Sequence, residues 1–210
     1  QTAGGAIDIV AGQNAAGLMF GDGVINASGG NVTLTNSNGS IFLSSSNGQV
    51  RGNVLNVTAL SSVAINTTVT EVVGTVQGSS SSFVVSDTDG LRVGSAGGIQ
   101  TNSGSVRLTA GQVSAGELNG SGLINAGFGR VQLINTRGGI TLNSSAGQVR
   151  GGDLTVTSLN SVNVNTNVSQ LTGSVTSATG TLTVRERDAL GILGSVQTAG
   201  GAIDIVAGQN

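Results

Sequence analysis

The stretch QTAGGAIDIVAGQN, Gln1–Asn14, is spelled again letter for letter at Gln197–Asn210, an offset of 196 residues. A fainter copy lies between them, at Gln100-Thr101-Asn102-Ser103-Gly104-Ser105-Val106-Arg107-Leu108-Thr109-Ala110-Gly111-Gln112. The chain therefore reads as repeat unit A over residues 1–99, repeat unit B over 100–196, and the start of the next unit A over 197–210. Self-similarity at a fixed period marks architectures in which one unit cannot bury its apolar face alone and stacks on its neighbours. A chain that restarts its own first line is expected to be a window on a longer tandem array. Each end is then expected to meet another copy of the block, by covalent continuation or by end-to-end stacking.

Outward from that stretch, apolar residues recur in alternating pairs: Ile7/Ile9, Leu18/Phe20, Val32/Leu34, Ile41/Leu43, Leu55/Val57, Val63/Ile65, Phe83/Val85 and Leu91/Val93. Within a pair the spacing is the strand period, because successive strand side chains point to opposite faces. Between pairs lie Gly, Asn and Ser, which tolerate turn geometry. No i, i+3, i+4 pattern is sustained, so the chain is all-β with short strands. At an offset of 99, Val32/Leu34 become Val131/Leu133, Ile41/Leu43 become Ile140/Leu142, and Leu55/Val57 become Leu154/Val156. Val63/Ile65 become Val162/Val164, and Gly48-Gln49-Val50-Arg51-Gly52 returns unchanged as Gly147-Gln148-Val149-Arg150-Gly151. The register slips by two residues near Ser95-Ala96-Gly97-Gly98, which marks an exposed turn, where length changes cost little.

Composition narrows the function classes. The 210 residues contain no Pro, Cys, His, Trp or Tyr, four Phe and 36 Gly, and the eight basic residues are all Arg. Eight bases against ten acids leave a net charge of −2, with no polyelectrolyte footprint for nucleic acid or anionic lipid. No apolar run approaches the ~20 residues that span a bilayer, so no membrane insertion is expected. The mean hydropathy of +0.22 argues against disorder, since disordered chains lack the apolar surface that offsets chain entropy.

Two architectures fit units of this size: tandem immunoglobulin-like β-sandwiches, or a parallel β-helix. Sandwiches need a thick core, usually with aromatics, and longer strands. Val, Ile and Leu at two inward positions per strand suit the narrow interior of a β-solenoid instead. The expectation is a right-handed parallel β-helix, continuous through residues 1–210, with three strands per coil. Four coils per unit would advance each 196-residue block by ~38 Å, and five would advance it by ~48 Å. The expected core is Ile7, Ile9, Val32, Leu34, Ile41, Leu43, Leu55, Val57, Val63 and Ile65, with their second-unit counterparts.

Gly30-Asn31-Val32-Thr33-Leu34, Gly39-Ser40-Ile41-Phe42-Leu43, Gly104-Ser105-Val106-Arg107-Leu108 and Gly139-Ile140-Thr141-Leu142 share one plan, as do residues 55–60 (LNVTAL) and 154–159 (LTVTSL). On these residues the chain resembles the filamentous-haemagglutinin type of bacterial secreted repeat adhesin. The resemblance covers essentially the whole chain. It implies a right-handed parallel β-helix exported to the cell surface and serving in adhesion, aggregation or biofilm matrix.

Nucleophilic triads and Ser–Lys dyads lack their His, Cys or Lys. The glycine-rich stretch Gly116–Gly122 lacks the Lys and helix of a phosphate loop and reads as turn. Asp87-Thr88-Asp89-Gly90 has a faint calcium-loop look, but its counterpart is Glu186-Arg187-Asp188-Ala189, with an Arg in its middle. Asp8 is answered by Arg107, Glu71 by Gln170, Leu18 by Glu117 and Arg92 by Gly191, which places most charges on a solvated face. Thr33/Thr35, Thr155/Thr157 and Thr181/Thr183 are too intermittent for an ice-binding face. No catalytic, cofactor-binding or metal residues are assigned, and no cofactor is expected. The functional expectation is the non-enzymatic extracellular shaft of a surface adhesin or matrix fibre, with itself and surface glycans as partners. The alternative is a polysaccharide-binding or polysaccharide-cleaving β-helix.

Overall fold

The structure, a computed structural model, describes residues 1–208; Gln209 and Asn210, the last two letters of the repeated segment, lie outside the described residues. Among the described residues twenty strands form one all-parallel sheet wound into a β-solenoid of about nine turns at roughly 22 residues per turn. Each coil offers three faces, which the ladders of paired residues define.

The first face opens with β1 (Ile7–Ala11) and β4 (Val32–Asn36). Its inward ladder runs Ile9, Leu34, Val57, Gly74, Ile99, Ile124, Val149, Thr166, Glu186. The second opens with β2 (Met19–Phe20) and β5 (Ile41–Leu43). It runs Met19, Ile41, Val63, Phe83, Val106, Val131, Leu154, Leu171, Ile192. The third begins at β3 (Ile25–Asn26) and runs Ile25, Val50, Thr67, Asp87. It resumes one corner later as Leu91, Leu118, Ile140, Val162, Leu182, Ile203.

The buried apolar side chains of these ladders form one core from Met19 to Val184, and Ile192 and Ile203 on the last coil are exposed. Each Val, Ile or Leu taken out of water contributes ~1.5–3 kcal/mol, and parallel stacking lets every coil cover the next. Of the twenty expected core positions, Ile7 and Ile9 are only half-buried, since their coil has a neighbour on one side alone. Their counterparts Val106 and Leu108 are fully buried, as are the other expected positions.

Coil length is uneven, and this corrects the expected coil count. Val50 to Thr67 closes a coil in 17 residues, while Leu91 to Leu118 takes 27. The short coils arise because β6 (Val50–Ala59) and β7 (Val63–Ser79) run on through corners instead of ending in loops. β16 (Val149–Ser158) and β17 (Val162–Val175) do the same in the second unit. One unit therefore spans neither four nor five coils but four coils and one further face. Ile7 lies on the first face, its counterpart Val106 pairs with Phe83 on the second, and Ile203 pairs with Leu182 on the third. The same sequence is presented one face further round the axis at every unit.

Two glycines show how tightly coils approach. Gly74 takes an inward rung, and a Cβ there would come within 2.3 Å of Phe83 Cε2, so the glycine makes room for the buried Phe ring. A Cβ on Gly104 would come within 1.7 Å of the Ser81 carbonyl oxygen of the preceding coil.

Candidate functional site

Buried polar side chains hold the corners together, and the two units share them. Asn36 Nδ2 donates to the carbonyls of Gly17 and Ser40 at 3.0 and 2.9 Å, and Asn135 Nδ2 does so to Gly116 and Gly139 at 2.8 and 2.7 Å. Gln49 Nε2 donates to Gly21 and Gly23 carbonyls while its Oε1 accepts from Ser45. Gln148 repeats the bracket with Gly120, Gly122 and Ser144. These amides satisfy backbone carbonyls where the chain turns between strands, and at Ser40 and Gly139 they add a second donor to the N–H of Met19 and Leu118.

Asp87 and Glu186 are the exception to the solvated-face reading of charges. Both are fully buried, and they sit exactly one unit apart, so the acid is retained and not exchanged. Asp87 Oδ2 accepts from Thr67 Oγ1 at 2.6 Å and from the Val69 N–H at 3.0 Å; Oδ1 accepts from the Asp89 N–H at 3.0 Å. Glu186 accepts from Thr166 Oγ1, the Val168 N–H and the Arg187 N–H. Burial, with a contribution from the Asp89 carboxyl, pushes the Asp87 acid up to about 7 against the pull of its three donors. Its oxygens are spent on the chain's own donors, which fits a corner bracket better than a calcium ligand. Among the described residues no cluster of three or more His, Cys, Asp or Glu is placed to hold a metal ion.

Beside this corner lies a groove of about 800 Å³, along the outer surface of the third face. Thr68, Thr70, Asp89, Arg92, Glu117 and Asn119 line it. Of the acids in and beside it, Glu117 and Glu71 are engaged, and among the described residues Asp89 stands without a hydrogen bond or ion pair to its carboxylate. Glu117 Oε1 accepts from the Gly139 N–H at 3.2 Å, and Glu71, adjacent to the groove, meets Arg92 at 3.7 Å. Sugar cleavage needs two carboxyl groups facing one gap, one as proton donor. Here the acid with a raised pKa, Asp87, is sealed behind the wall, and Asp89 alone of the pair reaches the groove.

The threonine runs are likewise broken. Thr35, Thr58 and Thr75 stack over three coils, and Gln100 then ends the ladder. Sequence reasoning missed a second groove, on the second face, which gathers Arg107, Thr109 and Arg137; no spacing rule joins these residues, since the winding brings them together. Comparison with protein-family models, with curated proteins and with solved structures gives no match for this chain.

Proposed function

We propose that this chain is a non-enzymatic structural protein, the repetitive shaft of an extracellular adhesin or matrix fibre of the filamentous-haemagglutinin kind. The observation that carries the reading is the equivalence of the repeated segment. As β1, Ile7–Ala11 lies parallel to β4; as β20 (Ile203–Val206), the identical residues lie parallel to β18 (Leu182–Glu186), in the same alternating register. A segment that works as a rung at either place allows the solenoid to extend by whole blocks with no change of design. Burial of the raised-pKa acid Asp87 behind the groove wall, with Glu117 held by the Gly139 N–H, favours a shaft over a polysaccharide-cleaving enzyme.

Electron microscopy of chains carrying several 196-residue blocks tests the reading. Each block spans eight coils and two further faces, so thin, unbranched fibres should show an axial repeat of ~42 Å at ~4.8 Å per coil. Compact particles without axial periodicity would overturn it. So would a specific reducing-sugar activity abolished by Asp89→Asn or Glu117→Gln.

A further inference from the structure

We propose that the groove between Arg107 and Arg137 on the second face binds the carboxylates of an acidic polysaccharide, one built of uronate sugars. This deepens the fibre reading by naming the partner's chemistry. The groove is open, with a volume of about 690 Å³, and Arg107, Thr109, Gln112, Ile134, Arg137 and Leu159 are among its lining residues.

Three observations converge there. First, both guanidiniums are uncommitted. Among the described residues, Arg51 and Arg150 bond to the Gly48 and Gly147 carbonyls, Arg92, Arg130 and Arg185 meet carboxylates, and Arg187, the other guanidinium without such a partner, lies in a different pocket beside the paired Arg185. Arg107 and Arg137 are exposed, have neither kind of partner, and share one groove whose lining holds no acid. Second, Thr109 lines the same groove at 4% exposure, and its hydroxyl oxygen is buried without a hydrogen-bond partner. A buried hydroxyl left unpaired costs free energy, and turning it about χ1 towards a ligand oxygen in the groove would recover that cost. Third, Ile134 and the partly exposed Leu159 give the groove apolar surface for a sugar ring, and the Gln112 amide adds a donor.

The charge balance selects the ligand. A planar guanidinium fork matches a planar carboxylate with two parallel hydrogen bonds. Among the described residues two arginines are the groove's only charges, too few to neutralise the closely spaced charges of nucleic acid or a polysulfate. One carboxylate per ring is the charge density that two separated arginines answer. The site belongs to the second unit alone: at Arg107, Thr109 and Arg137 the first unit has Asp8, Val10 and Asn38. It would recur once per 196-residue block, and a long glycan could engage several blocks at once with the gain in avidity that linkage brings.

The test titrates the purified chain with galacturonate oligomers by calorimetry at low salt, beside a neutral oligosaccharide, dextran sulfate (a polysulfate without uronate) and duplex DNA. Binding to the uronate oligomer alone is expected. Arg107→Gln and Arg137→Gln should each weaken it at least tenfold, and Arg92→Gln, a charge change on another face, should leave it unaltered. Thr109→Val should weaken binding several-fold while raising the unfolding temperature, opposite effects that separate a ligand contact from a packing role. Circular dichroism checks that each variant is folded. The proposal is overturned by absence of uronate binding, by tighter binding of dextran sulfate or DNA, or by parental affinity in Arg107→Gln, Arg137→Gln or Thr109→Val. A blank titration removes this groove and leaves the axial repeat, on which the fibre reading stands, untouched.

Discussion

Thr67 Oγ1 lies 2.6 Å from Asp87 Oδ2, on the rung directly below it in the same ladder, and both side chains are fully buried. One unit along, Thr166 and Glu186 repeat the contact at 2.7 Å. A hydroxyl–acid pair thus replaces the apolar pair that the ladder carries elsewhere. It stands where an inward ladder ends and the Val69 and Val168 N–H groups need an acceptor.

The Asp87 acid gives the fold a pH dependence whose sign follows from its raised value of about 7. The folded chain holds this proton more tightly than the unfolded chain, so the contribution is fully present at low pH. It is lost as pH rises from about 4 towards 7. Chemical denaturation across that range should show stability falling by ~2–4 kcal/mol from this residue. Asp87→Asn keeps the shape without the titration, and a stability curve equally steep in that variant would refute the assignment.

Leu34 stands between Ile9 and Val57 with no exposure. Leu34→Ala should cost ~2–5 kcal/mol, through lost burial and the cavity left behind, and Leu34→Asp considerably more. Asp8→Asn, on the solvent side of the neighbouring strand, should change stability by less than ~0.5 kcal/mol. Equal effects in a urea titration would contradict the inward ladder.

Gly104→Ala places a methyl group 1.7 Å from the Ser81 carbonyl oxygen, which is backbone and cannot swing aside. Two coils must separate locally, and the unfolding temperature should drop by many degrees. Gly21→Ala, where no atom lies within 4 Å of the new Cβ, is the control and should unfold close to the parent.

Asn135 donates to two carbonyls and accepts from the Gly138 N–H, so its amide is read at both ends. Asn135→Asp turns the donating end into an acceptor facing two carbonyl oxygens. It should destabilise more than Asn135→Ala, which removes one donor from each carbonyl and leaves Gly139 its bond from the Leu118 N–H. Differential scanning calorimetry of the two variants orders them; the reverse order would show that the bracket's polarity is unimportant.

Much of this was legible in one dimension because solenoid contacts are periodic. Alternation at Val32/Leu34 or Ile140/Leu142 states which side chains face inward, and recurrence at 99 residues states that the same solution is used again. The charges were less legible. Asp8 and Arg107 exchange sign because both meet water, and by that example Asp87 also looked solvated. Its burial depends on Thr67 and Val69, some twenty residues away, and that distance is a coil length unknown until the coils are wound.

Sequence alone determined that the chain is an all-β solenoid of repeating units with an aliphatic core, because strand period, turn residues and self-similarity are local properties. Only the tertiary structure decided the phase of that repetition. Strands that bend through a corner without a loop shorten a coil from 25 residues to 17, as from Ile99–Ile124 to Val149–Thr166. Such shortening leaves the alternation of apolar letters unchanged and so leaves no local mark. Accumulated over a unit, the uneven coils carry Val106 onto the face beside that of Ile7. The same winding sets Arg107, Thr109 and Arg137 around one groove, because a side chain's neighbours across a coil are fixed by the length of every loop between them.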